Sequence, residues 1–227
     1  MTTHLRPIAL ALALASATLS STVLAGVNEG VAAYDAKNYA AALAEIQPLA
    51  EKGDATAQTY LGLMYAFGNG VPLDYDKAHK WYQLAAEQDN ARAQNGLGYL
   101  YQYGHGVHRN SREAIKWYER SAEKRDVRAQ GNLGNMYFLG LGVPQDYKTA
   151  ASWFMKAAAQ GSTDAQYIVG NMYRNGQGFA LDYSEAARWY RLAADQGHVG
   201  AQHALGQLYR AGQGVAQDFA EAQKWYR

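Results

Sequence analysis

A tryptophan followed by a second aromatic residue recurs along the chain at a fixed interval of 36 residues. No insertion or deletion disturbs this interval, and a fixed period in this range is typical of solenoids, in which one small structural unit is stacked repeatedly. The pattern therefore predicts a repeat protein rather than a single globular domain. The five pairs are Trp81-Tyr82, Trp117-Tyr118, Trp153-Phe154, Trp189-Tyr190 and Trp225-Tyr226.

Other residue types recur in the same register, and they define five units. The units are 53–88, 89–124, 125–160, 161–196 and 197–227, and a partial unit at 26–52 is interpreted as N-terminal capping helices. The fifth unit stops inside a predicted helix, after 31 residues, so a natural end and a fragment of a longer array are both compatible with the sequence. Glycine repeats at Gly62, Gly98, Gly134, Gly170 and Gly206, and alanine repeats at Ala78, Ala114, Ala150, Ala186 and Ala222.

Each unit is predicted to be a pair of helices. In the first unit, Ala57, Leu61 and Met64 have the three- and four-residue spacing of one helical face. We expect the first helix to end at Gly68, because glycine adopts the left-handed conformation of a helix stop, and Asp74 to cap the second helix. In three other units a glutamate lies three residues after the cap residue, as in a capping box, at Glu113, Glu185 and Glu221.

The repeated glycine inside the first helix needs a packing reason, because glycine costs about 1 kcal/mol relative to alanine there. We expect Gly62 and Ala78 to let the two helix backbones approach closely. The aromatic pair would then fill the wider gap between one hairpin and the next, since buried aromatic rings dominate core packing.

The N-terminus has the layout of a secretory signal peptide covering residues 1–25. Arg6 precedes an apolar stretch from Ile8 to about Leu19, and small residues end at Ala25. A stretch of roughly 12 residues is shorter than the ~20 that a membrane-spanning helix requires. We therefore predict cleavage after Ala25 and export through the inner membrane, to the periplasm if the source is a Gram-negative bacterium.

Charge and cysteine content narrow the classes of function. There are 21 lysine and arginine residues against 20 acidic ones, a net charge of +1, which gives no field that favours nucleic acid or an anionic membrane. Cysteine is absent, which excludes disulfides, thiol nucleophiles and cysteine-based metal sites. We predict no nucleic-acid partner and no integral membrane segment once the signal peptide is removed.

The repeated motif resembles the Sel-one-like repeat (SLR) family, which is related to tetratricopeptide repeats. The pattern is AQ-x2-LG-x2-Y-x2-G-x-GV-x2-D-x3-A-x2-WY-x2-AA, with few substitutions in each unit. The resemblance implies an all-α fold, a right-handed α/α superhelix (solenoid) of stacked helix-turn-helix repeats, used mainly as a scaffold that binds other proteins. Some cysteine-rich secreted relatives have been linked to β-lactam binding or hydrolysis, and this chain lacks their paired cysteines.

Function is expected where the units differ, on the face of the first helices opposite the repeated apolar positions. In such solenoids the first helices line the concave surface. That surface would change from apolar and aromatic near the start to amide and arginine near the end, which suits a peptide with an apolar part and an acidic part. The alternative is that these positions are simply solvated. The predicted partner-binding residues are Leu63, Tyr99, Gln102, Asn135, Phe138, Asn171, Arg174, Gln207 and Arg210.

No catalytic constellation, metal site or cofactor is predicted. His105 and His108 form one turn, which we interpret as solvated, because a stable metal site needs three or four ligands. The repeated turn glycines lack the lysine and hydroxyl of a phosphate-binding loop. The leading hypothesis is a non-enzymatic scaffold for an unidentified protein or peptide, in envelope signalling or complex assembly. The alternatives are a cell-wall or polysaccharide-binding protein and a β-lactamase-like hydrolase.

Overall fold

The computed structural model describes residues 26–226, whose regular secondary structure is entirely helical. The chain divides into two compact units at Arg109 and Asn110, and each is described by itself. Within the described residues no helix is long and apolar enough to cross a bilayer. The predicted signal peptide lies outside the described residues.

The described part of unit 1, residues 26–109, contains five helices, each packed against the next along the chain. In the repeats, the first helix of each hairpin is called the A helix and the second the B helix; α3 and α5 are A helices, and α4 is a B helix. The first two helices close over α3 with a core cluster that includes Val27, Ile46 and Leu61. The helices are α1 (26–35), α2 (Tyr39–Glu51), α3 (Ala55–Phe67), α4 (Tyr75–Glu87) and α5 (Ala91–Tyr103).

Residues 110–226 of unit 2 form seven helices with the same alternation, so that α7, α9 and α11 are A helices and α6, α8, α10 and α12 are B helices. Each helix packs on its neighbour in the chain, and the closest pairs are the hairpins α7 with α8 and α9 with α10. The helices are α6 (Ser111–Glu123), α7 (Val127–Leu139), α8 (Tyr147–Ala159), α9 (Thr163–Asn175), α10 (Tyr183–Ala194), α11 (Val199–Ala211) and α12 (Phe219–Trp225).

The predicted helix ends are confirmed. The α3 helix stops at Gly68, which has a φ of 67° and donates its N–H to the carbonyl of Met64. Asp74 caps α4 by accepting a hydrogen bond from the Lys77 N–H at 2.9 Å. Equivalent left-handed glycines end the other A helices at Gly104, Gly140, Gly176 and Gly212.

The predicted capping box is wrong in one of its two bonds, the one from the backbone N–H of the cap residue to the glutamate side chain. The N–H of the cap residue Asp182 donates to the Tyr173 carbonyl in the last turns of α9, at 3.0 Å. Because this N–H is already used, it cannot donate to the Glu185 carboxylate. Glu185 pairs with Arg188 at 2.9 Å instead. The same bond joins the starts of α8 and α12 to the A helices before them, from Asp146 to Tyr137 and from Asp218 to Tyr209.

The repeated A-helix glycine makes room for an aromatic ring of the B helix, which corrects the expectation of close backbone contact. A Cβ atom at Gly62 would lie 2.6 Å from Cδ1 of Tyr82, and a Cβ at Gly96 of the next A helix would lie 2.8 Å from the same ring. Tyr82 is therefore held between glycines of two successive A helices. It is fully enclosed, whereas Trp81 stays partly exposed.

Glutamines of the A helices, buried in α3, α5, α7 and α9, tie successive hairpins together. In α9, the Gln166 side chain donates to the Ala158 carbonyl at the end of α8, at 3.3 Å, and accepts from the Gln196 amide after α10, at 2.8 Å. Gln58 makes the same pair of bonds, to the Ala50 carbonyl and from Gln88. Because buried polar groups are costly when unpaired, this network favours one register of stacking.

Two glycines three residues apart in α7 test the ring-packing account. In Gly134→Ala the new Cβ would lie 2.7 Å from the Phe154 ring, so we expect a loss of about 1–3 kcal/mol in unfolding free energy. At Gly131 a Cβ would meet nothing within 4 Å, so Gly131→Ala should raise stability by roughly 0.5–1 kcal/mol through helix propensity. Urea unfolding followed by circular dichroism measures both, and equal effects of the same sign would contradict the account.

A candidate binding groove between α7 and α9

Four of the predicted partner-binding residues line one cavity in unit 2. The cavity has a volume of about 390 Å³ and lies along the A helices α7 and α9. Asn135 and Phe138 reach it from α7, and Asn171 and Arg174 reach it from α9. Each pair occupies equivalent positions of two successive repeats, so the regular stacking of A helices brings them side by side.

A second cavity continues the first toward the N-terminal ends of the same helices. Its volume is about 240 Å³, and it shares Asn135, Phe154 and Ile168 with the first cavity. Gly131 lies in its wall and leaves open space where other repeats carry a side chain. The two cavities together are called the α7–α9 groove.

Asn171 is fixed by a hydrogen bond from the core. The hydroxyl of Tyr190, whose ring is completely buried, donates to Asn171 Oδ1 at 2.7 Å. Burial raises the pKa of Tyr190 well above its ordinary value, although the nearby Arg174 guanidinium opposes this. The hydroxyl therefore stays protonated at neutral pH and keeps donating, which leaves the amide NH2 group of Asn171 to serve as a donor in the groove.

Arg174 carries a positive charge that the described residues do not neutralise. It is half-buried in the last turn of α9, and no acidic side chain lines its cavity. Arg128 and Arg188 of the same unit, by contrast, contact Asp126 and Glu185 at 2.9 Å each. Beside Arg174 the ring of Phe138 is held by Tyr147, with centroids 5.1 Å apart.

The other predicted residues lie elsewhere. Leu63 packs against the unit 1 core, and Gln102 is half-buried on α5. Tyr99 belongs to an aromatic cluster with Tyr103, at 4.8 Å between centroids, and burial raises the pKa of its hydroxyl. Gln207 and Arg210 line a separate cavity of about 520 Å³ beside α11 and α12.

Two features were missed by the sequence interpretation. Ile168 lines both cavities of the groove, although its position on the helical wheel adjoins the core. The sequence did contain a sign of this role: the position holds an isoleucine in the fourth repeat, where the fifth repeat has Ala204 and the second has Gly96.

His105 is not simply solvated, because its ring stacks on Tyr75 with centroids 4.3 Å apart.

His198 makes local contacts with one neighbouring carboxylate and one backbone N–H. His198 caps α11 by accepting from the Ala201 N–H through Nδ1, at 3.0 Å, and its Nε2 lies 3.4 Å from Asp164. Nowhere in residues 26–226 do three or more histidine or carboxylate side chains come together as a possible metal site.

Five consecutive segments of the chain match the Sel1 repeat profile, at residues 55–90, 91–126, 127–162, 163–198 and 199–227. The chain belongs to the Sel1 repeat family. Each segment begins two residues after the corresponding unit, which places each A helix at the start of a Sel1 repeat. The predicted fold class, an all-α solenoid of stacked helix-turn-helix repeats, is confirmed.

Solved structures support the same assignment. The chain is similar to a protective antigen of uropathogenic Escherichia coli with an SLR fold: TM-score 0.82, 34% identity, covering 93% of this chain and 46% of the antigen. It therefore spans less than half the length of that protein. It is also similar to a Sel1 repeat protein from Oxalobacter formigenes: TM-score 0.81, 35% identity, covering 88% of this chain and 82% of that one.

An immunity protein from Pseudomonas aeruginosa shares the fold alone, with a TM-score of 0.59 and 19% identity over 90% of this chain and 80% of that one. No curated protein matches the sequence significantly.

The Tyr190–Asn171 bond can be tested against its counterpart in the preceding Sel1 repeat, where Phe154 and Asn135 occupy the same positions. Tyr190→Phe removes a buried hydroxyl bond, so we expect a loss of about 0.5–1.5 kcal/mol in unfolding free energy. Phe154→Tyr places a hydroxyl in the equivalent position, and we expect it to be neutral or stabilising. Urea unfolding measures both; a Tyr190→Phe variant as stable as wild type would contradict the role given to this bond.

Proposed function

We propose that this Sel1 repeat protein is a non-enzymatic scaffold that binds a protein or peptide partner through the α7–α9 groove, after export, in envelope signalling or complex assembly. The observation that carries the proposal is the groove itself. It brings amide groups, an arginine and open apolar space together at positions where the repeats differ from one another.

The division between repeated and variable positions supports this proposal. Residues at the repeated packing positions, such as the aromatic Tyr190 and the glutamine Gln166, are buried and hold the hairpins together. The groove residues Asn135, Asn171 and Arg174 contribute less to that packing, because they are exposed or half-buried. Polar and aromatic side chains on a rigid scaffold are the usual means of peptide recognition.

Export is supported by the signal-peptide layout of residues 1–25 and by one relative. The similar E. coli protein is a protective antigen, a property compatible with export. The proposal takes this chain to be exported.

Site-specific photo-crosslinking in the source organism tests the groove. A benzophenone amino acid at the exposed position of Asn135 should give a defined crosslinked partner, because this position lies inside the groove. The same amino acid at Ser152, which is exposed on the B helix α8, is the control. The Asn135 product should disappear when Gly131→Trp fills the groove. Equal products from both positions, or a product that persists with Gly131→Trp, would rule the proposal out.

Glycan binding is the second candidate, favoured by an exposed aromatic cluster in unit 1. Phe67 and Tyr103 are 54% and 55% exposed, and both rings pack against Tyr99. Exposed rings of this kind can stack on sugars. Sedimentation with purified peptidoglycan distinguishes the candidates. Retention of the wild-type protein that falls at least about 5-fold in a Phe67→Ala/Tyr103→Ala double variant would favour glycan binding. If the wild-type protein is not retained, glycan binding is excluded and the protein-binding scaffold is the remaining candidate.

A further inference from the structure

The α7–α9 groove is chemically different at its two ends. We infer that it takes an internal peptide segment in which an aspartate or glutamate side chain binds Arg174 and a bulky apolar side chain fills the space beside Gly131 and Ile168. This inference rests on the proposed function and specifies the chemistry of the partner.

Charge complementarity places the acidic side chain at Arg174. The guanidinium is half-buried and has no ion pair in the described residues, so a ligand carboxylate would gain a charge-assisted, bidentate contact. The amide NH2 group of Asn171, one turn away, offers a further donor because its oxygen already accepts from Tyr190. The Phe138 ring would pack against the methylene stem of a glutamate.

The opposite end of the groove accepts an apolar group, because the arginine in its wall, Arg128, is already paired with Asp126 at 2.9 Å. Asp164 lies in the wall there, and its side chain is 86% exposed. Between Asp164 and the guanidinium, Ile168 and the ring of Phe154 form an apolar wall opposite Gly131. The missing side chain at Gly131 leaves open space that a leucine- or phenylalanine-sized group can fill.

The spacing of the two subsites sets the spacing in the peptide. Gly131 and Phe138 are seven residues apart on α7, which corresponds to about 10 Å along the helix axis. In the polyproline II conformation, residues three apart lie on the same side and are separated by about 9 Å. We therefore expect the apolar and acidic residues to be three positions apart.

An internal acidic residue is favoured over a C-terminal carboxylate because the cavity does not end at Arg174. Its wall continues to Asn175 and Gln177 in the following turn, whose side chains lie 3.5 Å apart. The bound chain can therefore run past the guanidinium.

The experiment is a selection of linear peptides of about ten residues, displayed at the N-terminus of a carrier so that no C-terminal carboxylate is free. The intact protein is the bait, and Gly131→Trp is used for counter-selection. We expect enrichment of aspartate or glutamate three residues from a bulky apolar residue. A leading peptide, synthesised with an amidated C-terminus, should bind Arg174→Gln at least about 10-fold more weakly than wild type.

Arg112→Gln is the matched control, because Arg112 is an exposed arginine of the B helix α6 that does not line the groove; it should leave affinity unchanged. Arg174→Glu should instead prefer the same peptide with lysine in place of its acidic residue. Circular dichroism and thermal unfolding confirm that each variant is folded.

The possible failures are distinguishable. Peptides that lose binding to Gly131→Trp but bind Arg174→Gln as well as wild type would overturn this inference and leave the proposed function intact. Enriched peptides without an acidic residue at the expected spacing would do the same. If no peptide depends on the space beside Gly131, the proposed function and this inference both fail.

Discussion

The packing of one buried aromatic ring against glycines of neighbouring A helices is the interaction on which the rest of the structure depends. Tyr82 contacts positions Gly62 and Gly96 so closely that a single added carbon at either would collide with the ring. The same contact recurs between Tyr190 and Gly170. The glycine costs only about 1 kcal/mol in helix propensity. Burial of the aromatic ring against it removes a large apolar area from water, and this gain outweighs that cost and stabilises the hairpin. The fixed period follows, because an insertion between ring and glycine would break the contact.

The same regular packing creates the groove. Because Gln166 and the buried rings fix the register of successive hairpins, side chains at equivalent positions of α7 and α9 lie next to each other. Asn135 stands beside Asn171, and Phe138 beside Arg174. Asn135 is exposed and Arg174 half-buried, so side chains there can vary while the fold is retained. The hydrogen bond from Tyr190 to Asn171 links packing to recognition, because a core residue orients a groove residue.

Much of the fold could be predicted from the sequence because its rules are local. The stop at Gly68 and the cap at Asp74 depend only on nearby residues, and the period revealed the stacking. The role of the repeated glycine could not be derived, because it depends on where a ring of the next helix points. The partner of Glu185 depends likewise on the bond from Asp182 to the preceding helix. Within the groove, the helical wheel found the polar positions but missed Ile168, because wheel position alone does not separate a groove wall from a core.

The most direct test of the central claim is a nuclear Overhauser measurement on protein labelled selectively at glycine and tyrosine. The account predicts strong contacts from the α protons of Gly170 to the δ and ε ring protons of Tyr190, because a Cβ there would lie 2.6 Å from both ring carbons. It predicts none from Gly131, where a Cβ would meet nothing within 4 Å. Absence of the Gly170 contacts, or equal contacts from Gly131, would show that the ring does not occupy the place the glycine leaves and would contradict the account.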